Sequence, residues 1–345
     1  MAALRSQRTI TVRAASPGEG AAVAGLWREL WDAHEAWGGY LGTRDPRAYE
    51  ELAHRLDEDA RVRSGQPVLG RHVHLVADLG GPPIGQVEGW MEKHGVLEST
   101  PFTCEVRSLI VSERARVSGA GRALLDQLAR YGAYMARGNP CVLAAEVLEL
   151  NPAQAFYEKL GYVPVAWSTR IPVEMACALP AQDAVFARAA GPRDALAIAA
   201  LDVSLAARRR AQRDQRFDRP RAVEATMVGA IAAHLGRTPG MNEPVELVAV
   251  DPSGVVRASA SLVVSSLDPP FVPSRRALLG RVAVDPAVEP DVYLHELVRI
   301  AGRVAQLRGA ALMEMSDLDP PGSPLYSAAL ATGAHPWSRV VEKMA

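Results

Sequence analysis

The feature that most constrains the fold is an internal repeat, in which two similar segments lie about 175 residues apart in a chain of 345 residues. Residues 12–17 read VRAASP and residues 187–192 read ARAAGP, and apolar positions after each segment also correspond. Similarity at this separation is typical of a duplicated domain. We therefore expect two tandem domains of related fold, residues 1–178 and residues 183–345, joined near residue 180.

The composition is that of an ordinary globular protein, with 48% hydrophobic and 22% charged residues. The formal net charge of −1 gives no general attraction to nucleic acid or to an anionic membrane. No apolar run approaches the roughly 18 to 20 residues that span a bilayer, which favours a cytoplasmic location. The cysteines and histidines lack the spacing of disulfide or metal sites, so we expect reduced thiols and no metal.

The order of periodic segments in the first half indicates an α/β fold. Apolar residues at helical spacing between Val23 and His34 predict an amphipathic helix. A second helix is expected over residues 121–137. Runs with strand character lie on both sides of it, at residues 71–78, 84–92, 103–111 and 141–148. This order predicts a mixed sheet flanked by helices.

A glycine-containing loop, RVSGAGR from Arg116 to Arg122, leads from the third strand into the second helix. Unpaired N–H groups and the helix dipole favour an anion there, and Gly119 and Gly121 let a pyrophosphate approach the main chain. The two arginines can add charge-assisted hydrogen bonds. Leu124 replaces the third glycine of a dinucleotide-binding motif, and the Walker pattern is missing. Taken alone, the loop fits a tight turn before a helix equally well.

A second motif, NPAQAFYEKLGY, occupies residues 151–162, where Asn151 can cap a short helix and Gly161 can end it. The glycine loop resembles the Q/R-x-x-G-x-G/A signature of the GNAT acetyltransferases. Residues 151–162 resemble that family's N-x-x-A-x-x-F/Y-Y-x-x-x-G-F/Y motif, in the family's order and spacing. The resemblance covers residues 10–175 well and the second half weakly.

The resemblance implies acetyl-CoA as the cofactor. In the family, the strand before the loop splays from its neighbour, so the N–H of Leu109 would bond the thioester oxygen. Ile110 and Val111 would pair with the pantetheine amides, and the loop would hold the pyrophosphate. The cofactor-binding residues expected on this basis are Leu109, Ile110, Val111, Arg116, Val117, Ser118, Gly119, Ala120, Gly121, Arg122, Asn151 and Tyr157.

The resemblance also supplies candidates for proton transfer. Tyr157 matches the family tyrosine that protonates the departing sulfur, and a purely structural role is the alternative. Glu105 lies eleven residues before Arg116, where the histone-acetylating branch of the family places its general base. Glu88 in the preceding strand is the rival, and either carboxylate could be a paired structural charge. A half-buried strand carboxylate can have a raised pKa, which suits it to take a proton from an ammonium.

These features predict an acetyl-CoA-dependent N-acetyltransferase that acts on a primary amine of a small molecule, such as an amino acid, a polyamine or an antibiotic-like compound. Candidate acceptor contacts are Trp27, Trp31, Trp37 and Tyr40, although core packing explains the first two better. A non-catalytic acyl-CoA-binding regulatory module and a protein lysine or N-terminal acetyltransferase are the alternatives. We expect no nucleic-acid or membrane partner, and a homodimer is left open.

The second half lacks the glycine loop. Its strand-like residues 279–286 are followed by Glu289, Pro290 and Asp291, which offer negative charge and a missing N–H where a phosphate would need donors. We expect a domain that keeps the fold and has lost the cofactor site. Seven arginines between residues 208 and 221 predict a solvated helix face.

Overall fold

The computed structural model describes residues 9–40, 45–93, 102–217, 221–267 and 275–345. The helices in these ranges are α1 Gly20–Ala36, α2 Pro46–Arg63, α3 Ala120–Met135, α4 Gln154–Lys159, α5 Val173–Ala178, α6 Ala195–Ala211, α7 Arg221–Leu235, α8 Pro290–Leu307 and α9 Pro324–Ala331. The strands are β1 Thr11–Arg13, β2 Val68–Leu69, β3 His72–Asp78, β4 Gly85–Lys93, β5 Phe102–Val111, β6 Cys141–Leu148, β7 Val163–Pro172, β8 Phe186–Ala189, β9 Val245–Val250, β10 Val256–Ser266, β11 Arg275–Val284, β12 Ala310–Leu318 and β13 His335–Met344.

The described strands form one 13-stranded sheet that runs through both halves of the chain. Its order is β1-β3-β4-β5-β6-β13-β7-β12-β11-β10-β9-β8, and β2 pairs with β3 beside this path. The pairs β5–β6 and β11–β12 are parallel, and the other pairs are antiparallel. Each parallel pair is joined through a helix, α3 in the first half and α8 in the second, as a parallel connection requires.

The two halves exchange their last strands. β13, from the end of the chain, pairs with β6, so that Val340 lies opposite Glu146. β7, the last strand of the first half, pairs with β12, so that Arg170 lies opposite Glu314. β7 and β13 also pair with each other at the centre of the sheet. Neither half therefore completes its sheet from its own residues.

Helices cover both faces of the sheet. On one face, α3 packs on β3 to β6 around Leu124 and Leu128, while α8 packs on β8 to β12 around Leu294 and Leu297. On the other face, α1 and α2 cover the first half, and α6 lies over β10 and β11. Among the described residues, this second face is uncovered between the two groups of helices. Glu146 of the central strand β6 is therefore exposed there.

Most of the sequence-based elements are confirmed. The first helix, the hairpin of β3 and β4, and the strands β5 and β6 occur where the periodicity predicts them. Two differences stand out. The helix α2 is not predicted by the sequence pattern. The helix α4 begins only at Gln154, and ahead of it Asn151 Oδ1 accepts a hydrogen bond from the Ala153 N–H at 2.8 Å. The boundary near residue 180 falls between α5 and β8 and stays a prediction.

The prediction of a solvated arginine face over residues 208–221 is wrong for Arg209 and Arg216, which are buried or half-buried in ion pairs, whereas Arg213 is exposed. Arg209 is 0% exposed and donates hydrogen bonds to the carbonyl oxygens of Val165 and Leu318. Acidic groups of the loop after α6 and of β12 surround this guanidinium, with Asp214 at 3.6 Å and Asp317 at 3.7 Å. The arginine run thus supplies a buried ion network at the strand exchange, because opposite charges make burial tolerable.

In the described ranges, no helix is long and apolar enough to cross a membrane.

Candidate active site

The strands β5 and β6 diverge halfway along their length. Their parallel pairing ends at Val106 and Ala145. Beyond this point β5 stays paired with β4 as far as Val111, while β6 stays paired with β13 as far as Leu148. The facing backbone groups of the diverging ends therefore have no strand partner and can bond an inserted amide chain. The predicted strand contacts lie on this part of β5: Leu109, Ile110 and Val111.

The loop after β5 places glycine at the N-terminus of α3. Gly119 has a φ of 89°, in the left-handed region that favours glycine. Ser118 Oγ accepts a hydrogen bond from the Ala120 N–H at 3.2 Å. For the next N–H groups of the first turn, those of Gly121 and Arg122, the described part of the chain contains no acceptor. These donors and the positive end of the helix dipole suit a phosphate.

Small residues and exposed arginines surround these donors. A Cβ at Gly121 would lie 3.1 Å from the Phe156 ring, so α4 packs where only glycine leaves room. Val117 at the loop tip is fully exposed, and Arg116 and Arg122 are exposed on either side of it. The residues present therefore fit the pyrophosphate of coenzyme A, which needs N–H donors, flexible cations and no bulky side chain.

Tyr157 lies on α4, close to the diverging strands. Its ring is 7% exposed and makes edge contacts with Phe156 at 5.5 Å and with Tyr162 at 5.2 Å. Burial raises the pKa of the Tyr157 hydroxyl well above its usual value, so the group keeps its proton. No hydrogen-bond acceptor for this hydroxyl occurs among the described residues. Tyr157 is thus a protonated donor available to a ligand.

Glu88 is a half-buried carboxylate on the open face of β4. It lies between His74 of β3 and Arg107 of β5 in the sheet register. Ser108 Oγ donates a hydrogen bond to Glu88 Oε2 at 3.4 Å, and His72 Nε2 lies 3.7 Å from Oε1. Burial raises the pKa of Glu88 above that of a free carboxyl group. Glu88 therefore binds a proton more readily than a free carboxylate does.

Glu105 has a different environment. Its side chain is 38% exposed, and its Oε2 accepts a hydrogen bond from Arg107 Nη2 at 2.5 Å. The Arg107 guanidinium also lies 5.6 Å from the centre of the Trp90 ring. Glu105 therefore forms a surface ion pair on the same sheet face, one strand away from Glu88.

A network of polar residues on α2, β3 and β4, close to Glu88, was not predicted from the sequence. Arg63, the last residue of α2, contacts His72 Nδ1 through Nη2 at 2.6 Å, and His72 stacks on Trp90 with 4.6 Å between ring centres. His74 Nε2 contacts the fully buried Gln86 Oε1 at 3.2 Å. Burial, together with the nearby charge of Arg63, lowers the pKa of His72 to about 4. The signal in the sequence was the alternation of polar residues along β3 and β4.

The predicted acceptor contacts do not form one pocket. Trp31 is 4% exposed and packs between Trp27, at 4.9 Å, and Tyr49 of α2, at 5.7 Å. Trp37 lies at the end of α1 beside the His34 ring. Tyr40 instead reaches the second half of the sheet, where its hydroxyl donates a hydrogen bond to Glu314.

Tyr40 belongs to a buried cluster formed by both halves. Arg170 of β7 donates a hydrogen bond to Glu314 Oε1 at 3.0 Å and another to the Gly38 carbonyl at 3.2 Å. Its guanidinium also lies over the rings of Tyr40 and Trp337. The segment after α1 is therefore anchored to residues of the exchanged strands.

One further carboxylate was missed because its strand reads as uniformly apolar. Glu146 is the exposed residue of β6, whereas the other residues of this strand are buried. It lies one residue beyond the point where β5 and β6 diverge, and its Oε1 accepts a 2.5 Å hydrogen bond from Ser338 Oγ of β13. Ser338 itself is 1% exposed. A residue of the second half thus orients a carboxylate beside the diverging strands.

The corresponding loop of the second half is shorter and acidic. Residues 285–289 connect β11 to α8, where residues 112–119 connect β5 to α3. Glu289 is the residue before α8, and Pro290 occupies the first helical position, which removes one N–H donor. The parallel strands β11 and β12 also diverge, after Leu279 and Met315.

The comparisons with known proteins agree with this geometry. Residues 26–162 match the family model of the acetyltransferase (GNAT) family. The fold is similar to that of a GCN5-related N-acetyltransferase from Sphaerobacter thermophilus, with 18% identity, a TM-score of 0.58, and coverage of 97% of this chain and 95% of that one. It is also similar to a tandem GNAT protein from the clavulanic acid biosynthesis pathway, with 17% identity, a TM-score of 0.50 and 98% coverage of both chains. The chain matches no curated protein sequence.

The family match falls on the half that carries the diverging strands, so residues 26–162 form a domain of the acetyltransferase (GNAT) family. The chain contains an N-acetyltransferase domain of the GNAT family, and its whole length has a tandem GNAT fold. The predictions of this family and of a mixed α/β fold are confirmed.

Proposed function

We propose that this protein transfers an acetyl group from acetyl-CoA to a primary amine of a small molecule, using a single cofactor site in the first half. The observation that carries the proposal is the divergence of β5 and β6 beside the N-terminus of α3. This arrangement combines free backbone edges for an amide-containing arm with N–H donors for a pyrophosphate. The domains proposed are residues 1–178, with this site, and residues 183–345, without it.

The first half holds the cofactor through its main chain. The N–H groups of Gly121 and Arg122 and the side chains of Arg116 and Arg122 bind the pyrophosphate. The diverging edge of β5 bonds the pantetheine amides, and the Leu109 N–H polarises the thioester carbonyl. When bound, acetyl-CoA supplies the activated acetyl group. Backbone donors on a rigid strand need no reorganisation as charge develops on the carbonyl oxygen.

Glu88 takes the proton from the acceptor ammonium, directly or through a water molecule. Its buried carboxylate with a raised pKa is better matched to this task than Glu105, whose charge is neutralised by Arg107. Tyr157 gives its proton to the departing sulfur. Its hydroxyl remains protonated because burial raises its pKa.

A small acceptor is favoured by the shape of the open sheet face. The segment after α1 is hydrogen-bonded to Glu314 and Arg170, so residues of both halves border the open sheet face beside β6. A bounded cleft suits a small amine better than an extended protein chain.

The experiment is calorimetric titration of acetyl-CoA into the full-length protein, followed by a thiol-release assay with a panel of primary amines. We expect one equivalent of acetyl-CoA to bind and at least one small amine to stimulate release of coenzyme A. Absence of binding to folded protein would overturn the proposal. Two bound equivalents would overturn the single-site assignment. Binding without transfer to any amine would instead favour a regulatory acyl-CoA-binding module.

A further inference from the structure

We propose that Glu146 binds a second cationic group of the acceptor, so that the substrate is a diamine or a related polycationic amine. The inference rests on the proposed function and assigns the substrate class of the same site. It depends on the position, exposure and partners of Glu146.

Position places Glu146 within reach of an acceptor. It follows Ala145, the last residue of β6 that pairs with β5, and it faces the same side of the sheet as Glu88. Only β5 lies between β4 and β6 in the sheet, so the main chains at Glu88 and Glu146 are separated by two strand spacings, about 10 Å, or more where β5 and β6 diverge. An extended diamine or polyamine can therefore present one amine near Glu88 and a second ammonium group to Glu146.

Glu146 differs from the neighbouring carboxylates in its ion pairing. Glu105 is paired with Arg107 at 2.5 Å, and Glu314 is paired with Arg170 at 3.0 Å. Within the described residues, no basic side chain forms a direct ion pair with Glu146, although the positive charge of the buried Arg170 also acts on it. A protonated amine is the group that would complete a direct ion pair with this exposed carboxylate.

Orientation comes from the second half of the chain. Ser338 is 1% exposed, and its hydroxyl donates its hydrogen bond to Glu146 Oε1. This bond fixes one oxygen of the carboxylate and leaves the other for a ligand. It also gives the exchanged strand β13 a role in the site, because β6 of the first half cannot place Glu146 in this way alone.

The test compares two acceptors of nearly equal size that differ in one charge: pentane-1,5-diamine and hexylamine. With the wild-type protein and acetyl-CoA, we expect kcat/KM for the diamine to exceed that for the monoamine by about 10- to 100-fold, the range of a partly desolvated ion pair. In Glu146→Gln this ratio should fall close to one, because the amide has no negative charge to bind the second ammonium group. Glu158→Gln, an exposed carboxylate on α4, is the matched control and should keep the wild-type ratio.

Three results would overturn the inference. A wild-type ratio near one, or an unchanged ratio in Glu146→Gln, excludes a cation site at this residue. Equal loss for both amines, together with loss of the acidic limb of the pH profile, would make Glu146 a general base instead. If acetyl-CoA binds but no amine is acetylated, the proposed function fails independently of the cation site. The affinities of the two amines for the wild-type protein and for Glu146→Gln, both saturated with coenzyme A, are then compared by calorimetry.

Discussion

Ser108 of β5 and Arg281 of β11 occupy equivalent positions in the two halves, and both have a left-handed backbone, with φ of 53° and 52°. This conformation is uncommon for residues other than glycine. Each residue lies next to an irregularity in the pairing with the preceding strand. In the first half the distortion turns the Ser108 hydroxyl toward Glu88, whereas Arg281 forms an ion pair with Asp202 of α6. The two halves thus share a backbone feature whose side chains have taken different partners.

Replacement of Glu88 tests the assignment of the general base. We expect Glu88→Gln to lower kcat by about 100-fold or more, because the amide cannot accept the ammonium proton. Burial raises the pKa of Glu88, so wild-type kcat/KM should rise with pH along a limb above the usual carboxyl range, and the variant should lose this limb. Glu105→Gln is the control, with a change of only a few fold. A larger loss in Glu105→Gln would reverse the assignment.

Tyr157→Phe separates proton donation from cofactor binding. The ring contacts with Phe156 and Tyr162 remain in the variant, so stability and acetyl-CoA affinity should be nearly unchanged. Loss of the hydroxyl should lower kcat by about 100-fold because the sulfur leaves without a proton donor. Steady-state kinetics and calorimetry on the same preparations measure the two effects. An unchanged kcat would leave Tyr157 a structural role only.

The phosphate site can be tested at Gly119 with matched backbone strain. Space is available there, since a Cβ would meet only Ile10 Cδ1 at 3.8 Å, but the φ of 89° disfavours most side chains. Asparagine and aspartate tolerate positive φ better than other residues. We expect Gly119→Asp to weaken acetyl-CoA binding by at least about 10-fold more than Gly119→Asn, through repulsion of the pyrophosphate. Equal affinities of the two variants for acetyl-CoA in calorimetric titrations would show that the pyrophosphate binds elsewhere.

Arg209→Met tests the buried ion network at the strand exchange. The change leaves Asp214 and the Leu318 carbonyl without this partner in a buried setting. We expect the free energy of unfolding in urea to fall by about 3 kcal/mol or more. Arg208→Met, whose side chain is 30% exposed and paired with Asp319, should cost less, because Gln212 Nε2 still donates a hydrogen bond to Asp319. Similar losses in both variants would mean that burial of Arg209 has little energetic weight.

His72 should make stability depend on pH. Its pKa is lowered from 6.5 to about 4 in the folded protein, chiefly by burial, so the unfolded chain binds the proton more tightly. Its contribution is complete above pH 6.5 and is lost as the pH falls toward 4, by up to about 3 kcal/mol. His72→Asn keeps an acceptor for Arg63 and should flatten the dependence of the unfolding free energy on pH in this window. A slope equal to that of the wild type would contradict a buried, neutral His72.

Much of the first half follows from local pattern. Local sequence patterns determine these elements: the alternation of polar and apolar residues in β3 and β4, the amphipathic spacing of α1 and the glycine before α3. Each pattern depends only on neighbouring residues, so it could be recognised from the sequence. The two family motifs led to Tyr157 and the glycine loop for the same reason. Glu146 was not recognised as a site residue, because its orientation depends on a hydrogen bond from Ser338, which is distant in sequence. The burial of Arg209 was not predicted for a similar reason, since its acidic partners Asp317 and Asp319 lie at the end of β12 and just after it.

The strand exchange also governs the order in which the protein can be finished during synthesis. β6 ends at Leu148, but β13, which covers its edge, begins only at His335. At about 5 to 20 residues per second, the edge of β6 waits on the order of ten seconds or more for this strand. An uncovered strand edge is a template for pairing with other chains. The edge of β6 is therefore open to such pairing until β13 has been synthesised.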